Sequence, residues 1–145
     1  MKSPKSRSRS TLGDLTANFS RREFKCPCCG RDDISIELVR KLQRVRDVAG
    51  PLRITSGVRC SSHNKAVSGK SSSSHLKGLA VDVHCKSSSK RFAILEAVFK
   101  VGFRRIGPGP GFVHLDIDED KAQRVSWDYY KKIPLHLRLV KPKGW

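Results

Sequence analysis

The 145-residue sequence lacks any long apolar segment, and this absence excludes two kinds of targeting. No stretch approaches the roughly 18 consecutive apolar residues that a membrane-spanning helix needs. The basic start, MKSPKSRSRSTLGD, has no apolar segment after it of the kind that a secretory signal requires. We therefore expect a chain without a signal peptide, which is cytoplasmic unless another factor releases it to the cell wall or periplasm.

Acidic residues are also scarce. The chain has 13 Asp and Glu against 30 Lys and Arg, which gives a formal net charge of +17. Such an excess favours a polyanionic partner and predicts salt-sensitive binding. Nucleic acid fits this description, and so do the phosphate-rich and carboxylate-rich polymers of a bacterial envelope. Charge alone does not choose between them.

Five cysteines are an odd number, so they cannot all pair within the chain. Cys26, Cys28 and Cys29 stand together in KCPCCG, whereas Cys60 and Cys85 stand alone. A zinc ribbon would need a second close pair about 15–20 residues after the first, and none follows. A small disulfide, an irregular structural metal site and single buried thiols all remain open.

The length and the hydrophobic pattern predict a single α+β domain over residues 16–145, preceded by a basic flexible tail over residues 1–15. Amphipathic helices are predicted over residues 34–50, with Asp32 or Asp33 as the cap, and over residues 90–101. The expected inward residues are Ile34, Leu38, Leu42, Val45 and Val48 in the first helix and Phe92, Leu95, Val98 and Phe99 in the second.

Three segments, LRITS, LAVDVHC and FVHLDID, have the composition of strands. Residues 57–74 form a long polar stretch without a periodic pattern, and we expect it to be a functional loop. GPGPG, residues 107–111, is predicted to be a rigid turn that leads into FVHLDID.

Polar side chains interrupt two of these strands on the face opposite the aliphatic residues. Strand alternation places Asp82 on that face of LAVDVHC, and His114 with Asp116 on that face of FVHLDID. Neighbouring strands would bring Asp82 and His114 together, and His75, at the end of the serine-rich loop, would complete the set. Two imidazoles and one carboxylate leave a fourth position open, as in catalytic zinc sites, although copper accepts the same ligands.

A divalent ion at this position would lower the pKa of a water molecule to about 7 and polarise a substrate carbonyl. A carboxylate beside the ion must then accept the proton, and Asp116 is the predicted general base. Taken singly, each of these residues is more often a packed or surface residue than a ligand. The pattern gains weight because two strands are interrupted on the same face.

The segments SGVRCSSHN, SSHLKGLAVDV and FVHLDID together resemble the zinc D-alanyl-D-alanine carboxypeptidase family of M15-type peptidases. The family signature is Ser-Gly-x-Arg, then Ser-x-His-x-x-Gly-x-Ala-x-Asp, then a strand with a closing His. The chain looks closest to a small branch of phage and bacterial cell-wall peptidases with a Phe-Val-His-x-Asp motif, over residues 18–127. The resemblance implies an antiparallel sheet with helices on one face and a zinc cleft on the other, as in DD-peptidases and the hedgehog signalling domain.

Individual roles follow from matched positions. His75, Asp82 and His114 match the three zinc ligands of the family. Arg59 matches the arginine that holds the terminal carboxylate of the substrate, a role suited to a planar bidentate donor. Ser73 matches a serine that lies along the substrate.

The position of the general base departs from the common pattern. Many relatives carry an acidic residue three positions before the final histidine, where this chain has Gly111. In the Phe-Val-His-x-Asp branch the acidic residue follows the histidine, and Asp116 matches it. The alternative role for Asp116 is to orient His114 through its other ring nitrogen.

The resemblance thus implies a zinc metallopeptidase that hydrolyses peptide bonds in bacterial peptidoglycan, at D-Ala-D-Ala, as a carboxypeptidase or endopeptidase. The expected partners are stem peptides and the anionic wall surface, and the expected protein is a monomer of the phage endolysin kind. One alternative is a non-catalytic zinc-containing binding module of the same fold, which has no evident need for Arg59 and Asp116. The other is a nucleic-acid-binding protein, which the charge favours but which lacks interleaved aromatic residues.

Overall fold

The computed structural model describes residues 12–131, and these form one small α+β domain. The regular elements are helices α1 (Ile36–Ala49), α2 (Ser61–Ala66) and α3 (Ser88–Val101), 3-10 helices Arg21–Phe24 and Ser74–Lys77, and strands β1 (Ile54–Ser56), β2 (Ala80–His84), β3 (Arg105–Gly109), β4 (Phe112–Asp116) and β5 (Val125–Ser126). None of the helices in this part of the chain has the length and apolar character needed to cross a membrane.

The five strands form one sheet in the order β1-β2-β4-β3-β5. The first four strands are antiparallel to their neighbours, as predicted, but β5 pairs with β3 in parallel. The predicted α+β fold is confirmed, and the parallel edge strand makes the sheet mixed rather than antiparallel throughout. After β4 the chain crosses to the far side of β3, so β5 runs opposite to β4 and in the same direction as β3.

Helices α1 and α3 cover one face of the sheet and share a single core with it. The α1 helix is capped by Ser35, whose side chain accepts a hydrogen bond from the Leu38 amide, and not by the predicted Asp32 or Asp33. Its buried residues are Leu38, Val39, Leu42 and Val45. The predicted inward residue Val48 is 53% exposed, whereas its neighbour Ala49 packs against the core.

The α3 helix begins two residues before its predicted start and ends at Val101 as predicted, but its buried stripe differs from the expected one. Ile94, Ala97 and Val98 are buried, whereas Phe92 and Phe99 are 68% and 65% exposed. Apolar residues lie on several sides of this helix, so two overlapping stripes fit the helical period. The stripe that packs against α1 is the one with the smaller side chains, Ile94, Ala97 and Val98.

Two segments predicted to be irregular contain regular secondary structure. The polar stretch 57–74 contains α2, whose N-terminal cap is the Cys60 side chain. The first three residues of the GPGPG segment belong to β3, and only Pro110 and Gly111 form the predicted turn into β4. A Cβ at Gly107 would lie 2.7 Å from atoms of Trp127 and Tyr129, so this glycine allows two rings to pack on the strand.

The predicted domain boundaries fall partly outside the described part of the chain. Residues 1–11 of the predicted tail and residues 132–145 of the predicted domain lie outside it. Residues 12–15 are described, and Leu15 packs against the core.

Candidate metal centre

The structure brings His75, Asp82 and His114 together on the sheet face opposite the two long helices. Asp82 lies in β2 and His114 in β4, and the antiparallel register pairs them directly. His75 lies in the 3-10 helix Ser74–Lys77, which immediately precedes β2. One potential ligand atom from each residue lies within 4.8 Å of the other two.

The three side chains converge on one carboxylate oxygen. Asp82 Oδ1 is 3.3 Å from His75 Nε2 and 3.1 Å from His114 Nδ1. His75 is 2% exposed and His114 is 7% exposed, so water competes little with these contacts. Such burial makes the charge state of the group sensitive to its few neighbours.

The other nitrogen of each imidazole is fixed by an acceptor. His75 Nδ1 donates to the Gly57 carbonyl oxygen at 2.7 Å, and His114 Nε2 donates to Asp116 Oδ2 at 2.7 Å. A carbonyl or carboxylate oxygen can only accept, so in the neutral rings the lone pairs lie on His75 Nε2 and His114 Nδ1. Both lone pairs then face the Asp82 oxygen.

This arrangement fits a cation. Three electron-rich atoms at these separations repel one another unless protons or a positive ion lie between them. In the metal-free protein, burial would lower the pKa of His114, but hydrogen bonds to Asp116 and Asp82 outweigh burial and raise this pKa. Burial would raise the pKa of Asp82, but hydrogen bonds from His114 and His75 hold it far below its usual value. Two neutral imidazoles and one carboxylate are a donor set that zinc accepts.

Asp116 lies behind His114 and not on the cleft. Its Oδ1 accepts a hydrogen bond from Arg105 Nε at 2.7 Å, while its Oδ2 holds His114. The Asp118 amide also donates to Oδ1, at 3.1 Å. Asp116 is 1% exposed. This geometry matches the orienting role that the sequence analysis gave as the alternative to a general base.

His75, Asp82 and His114 are called the metal-ligand set below. Arg59 and Ser73 lie next to this set. Arg59 Nη2 is 3.2 Å from Asp82 Oδ2, and its other nitrogens donate to Ser56 Oγ and Asn64 Oδ1. Ser73 Oγ accepts a hydrogen bond from the His75 amide at 3.3 Å and caps the 3-10 helix. Both residues therefore help to position ligands in addition to lining the cleft.

An open cleft of about 710 Å³ lies over the three residues. Its lining carries four cationic side chains, Arg59, Lys70, Arg105 and Lys121, and two carboxylates, Asp82 and Asp128. The excess of cations favours a substrate that carries carboxylates.

Sequence reasoning did not identify Arg105, Asp128 or Tyr129 as parts of the site. Tyr129 and Trp127 line the cleft, and their backbone amides continue the pairing with β3 beyond β5. The alternation of an extended chain would have placed Tyr129 on the same side as Trp127. No local signal marks Arg105, because its role depends on contacts with Asp116 and with the Trp127 ring, 4.8 Å away.

Residues 17–116 match the sequence model of a protein family described as Peptidase M15. The matched segment includes the metal-ligand set as well as Arg59 and Ser73, and it covers well over half of the chain. A search of curated proteins found no match. The predicted membership is confirmed: the chain belongs to the M15 peptidases, a family of zinc-dependent metallopeptidases.

Proposed function

We propose that this peptidase cleaves peptide bonds in bacterial peptidoglycan, next to D-alanine in stem peptides or their cross-links. The main support is the position of the metal-ligand set at the floor of an open, basic cleft with Arg59 beside it. Stem peptides carry carboxylates, and an arginine beside the reacting centre suits their recognition. The resemblance to cell-wall peptidases points to the same substrate.

His75 Nε2, Asp82 Oδ1 and His114 Nδ1 would hold zinc, because their lone pairs face a common point. Zinc, when bound, supplies Lewis acidity that polarises a carbonyl and lowers the pKa of water. Gly57 and Asp116 keep the two imidazoles in the tautomers that leave these nitrogens free. The protein thus supplies a rigid donor set before any ion arrives.

Arg59 would bind a substrate carboxylate. Its guanidinium is held by Ser56, Asn64 and Asp82, so little side-chain entropy is lost when a ligand binds. Lys70 lines the same cleft and adds positive charge. A free C-terminal carboxylate would favour carboxypeptidase action, whereas the open cleft also admits a branched cross-link.

We assign proton transfer to Asp128 rather than Asp116. Asp128 lines the cleft and is exposed. It is the one carboxylate among the cleft-lining residues of the described chain that is not in the metal-ligand set. Asp116 has both oxygens engaged by His114 and Arg105, so the predicted base role would require it to leave two partners. Its proposed role is to position His114.

The net charge of +17 favours retention of the enzyme on the anionic bacterial cell wall. An anionic polymer would retain a basic protein electrostatically, at a strength that falls as salt rises. Retention and cleavage are separable, because the first depends on overall charge and the second on the metal-ligand set.

The direct test is to incubate zinc-loaded protein with purified peptidoglycan and to identify the products by mass spectrometry. We expect released D-alanine or separated cross-linked stem peptides, and no release with the His75→Ala variant. His84→Ala is the matched control, since His84 lies in β2 near Asp82 but outside the metal-ligand set. Intact peptidoglycan after exposure to the zinc-loaded wild type would refute the proposed substrate, and cleavage at an L-alanine linkage would refute the proposed bond.

A further inference from the structure

Three of the five cysteines come together at a second place in the fold. The sulfur atoms of Cys26, Cys29 and Cys60 lie within 4.8 Å of one another. Cys28 directly precedes Cys29 and is exposed, near this group but outside the set of mutually close sulfurs. Cys26 and Cys60 are 34 positions apart in the sequence, so this convergence is a tertiary feature and not a result of the local CPCC pattern alone.

Backbone amides donate hydrogen bonds to the sulfur atoms of Cys26, Cys29 and Cys60. The Cys60 amide donates to Cys26 Sγ at 3.4 Å, the His63 amide to Cys60 Sγ at 3.4 Å, and the Arg31 amide to Cys29 Sγ at 3.5 Å. Each of the three sulfurs thus accepts at least one N–H hydrogen bond, a contact that stabilises a thiolate more than a thiol.

A tight turn brings the sulfurs of Cys26 and Cys29 close together. The Cys26 amide donates to the Arg31 carbonyl, and the Gly30 amide donates to the Cys26 carbonyl at 2.9 Å. Gly30 has a φ of 78°, in the left-handed region that favours glycine. The chain therefore reverses directly after Cys29.

We propose that Cys26, Cys29 and Cys60 bind a structural zinc ion, with Cys28 as the fourth ligand. Thiolates are soft ligands that suit zinc, and structural zinc sites are closed by four protein ligands. A single disulfide would use two of the mutually close sulfurs and leave a third beside them. Uncompensated thiolates this close would repel one another, and a divalent cation removes that repulsion.

The ion would tie the N-terminal segment to the loop that carries Arg59. Cys60 directly follows Arg59 and caps α2, and Asn64 of that helix holds the Arg59 guanidinium. On the other side, the Val58 amide donates to the Phe24 carbonyl at 2.8 Å. The second ion would therefore hold this loop in place without touching the cleft.

Metal content tests the proposal without relying on catalysis. We expect the zinc-loaded wild type to retain one ion more than Cys29→Ser or Cys60→Ser, measured by elemental mass spectrometry after gel filtration. Cys85→Ser is the matched control, since Cys85 is buried but is not part of the sulfur cluster, and it should retain the wild-type amount. Cys28→Ser should lose its ion to a chelator faster than the wild type.

Cobalt substitution separates the two ions. The sulfur site should give the thiolate-to-cobalt absorption of cysteine ligands, which His75→Ala keeps and Cys60→Ser loses. His75→Ala leaves every cysteine in place, so the absorption can be sought even if the serine variants do not fold. Its absence from folded, cobalt-loaded His75→Ala would overturn the proposal. Detection of a disulfide among these cysteines by non-reducing mass analysis would do so as well. Neither result depends on whether peptidoglycan is the substrate.

Discussion

Asp82 and His114 face each other across the β2–β4 ladder, with Asp82 Oδ1 3.1 Å from His114 Nδ1. The pairing of β2 with β4 therefore positions two of the three residues of the metal-ligand set. A shift of either strand by one residue would turn its own member of this pair towards the helices. The apolar residues on the opposite face, Val81 and Val83 among them, stabilise the observed register because they are fully buried in the core.

Substitution of a single member of the set should remove the zinc ion of this site and the activity. Asp82→Asn keeps the size of the side chain but removes the negative charge that the ion requires. We expect one zinc ion fewer than in the wild type by elemental analysis and turnover at the background level, with His84→Ala close to the wild type in both. Full zinc content in Asp82→Asn would show that the ion is bound elsewhere.

The Asp116→Asn variant tests whether this residue positions His114. An asparagine can offer its NH2 group to His114 Nε2 and favour the wrong tautomer. Partners of this kind typically contribute about 10–100-fold in metal affinity or activity. We therefore expect weaker zinc binding of that order in a chelator competition, and recovery of much of the turnover in excess zinc. If turnover stays low at saturating zinc, Asp116 acts in proton transfer.

Asp128→Asn should give the opposite pattern. Loss of a general base typically lowers the rate by about 10²–10⁴-fold while leaving the bound ion in place. The variant should bind zinc like the wild type and show a reduced kcat. A wild-type kcat in Asp128→Asn would return the base role to Asp116.

The metal-ligand set could be assembled from the sequence because strand alternation is a strong constraint. One aspartate and one histidine interrupt two apolar strands, and a period of two assigns each side chain to a face. The buried stripe of α3 could not be chosen in the same way. Phe92 and Phe99 fit the helical period as well as Ile94 and Ala97 do, and only the contact with α1 decides between them.

The role of Asp116 also lay beyond sequence patterns. Alternation places it on the same face as His114, but it does not say which ring nitrogen its carboxylate meets. That depends on Arg105, which comes from the neighbouring strand β3 and draws the Asp116 side chain away from the cleft. The convergence of Cys26 and Cys60 is hidden for the same reason, since it arises from the docking of the N-terminal segment against Val58.

The loop that carries His75 should depend on Asp118 for its stability. Asp118 is fully buried, accepts a 2.7 Å hydrogen bond from Ser74 Oγ, and lies 3.1 Å from Lys77 Nζ. Burial raises the pKa of Asp118, but these partners outweigh it and lower the pKa below its usual value. The ionised carboxylate therefore stabilises the folded chain above the unfolded-state pKa of about 4, and this contribution is lost as the pH falls through the lower folded-state value.

Asp118→Asn should lower the free energy of unfolding at pH 7 by about 1–3 kcal/mol, since the donors Ser74 and Lys77 lose their charged acceptor. Urea unfolding in the presence of a chelator measures this without a contribution from bound metal. The difference from the wild type should shrink as the pH falls below about 4, because the carboxylate is protonated first in the unfolded wild type and at lower pH in the folded one. Asp120→Asn is the matched control, because the Asp120 side chain is 87% exposed although it also contacts Lys77. A deficit of the same size at every pH would mean that packing, and not the charge of Asp118, holds the loop.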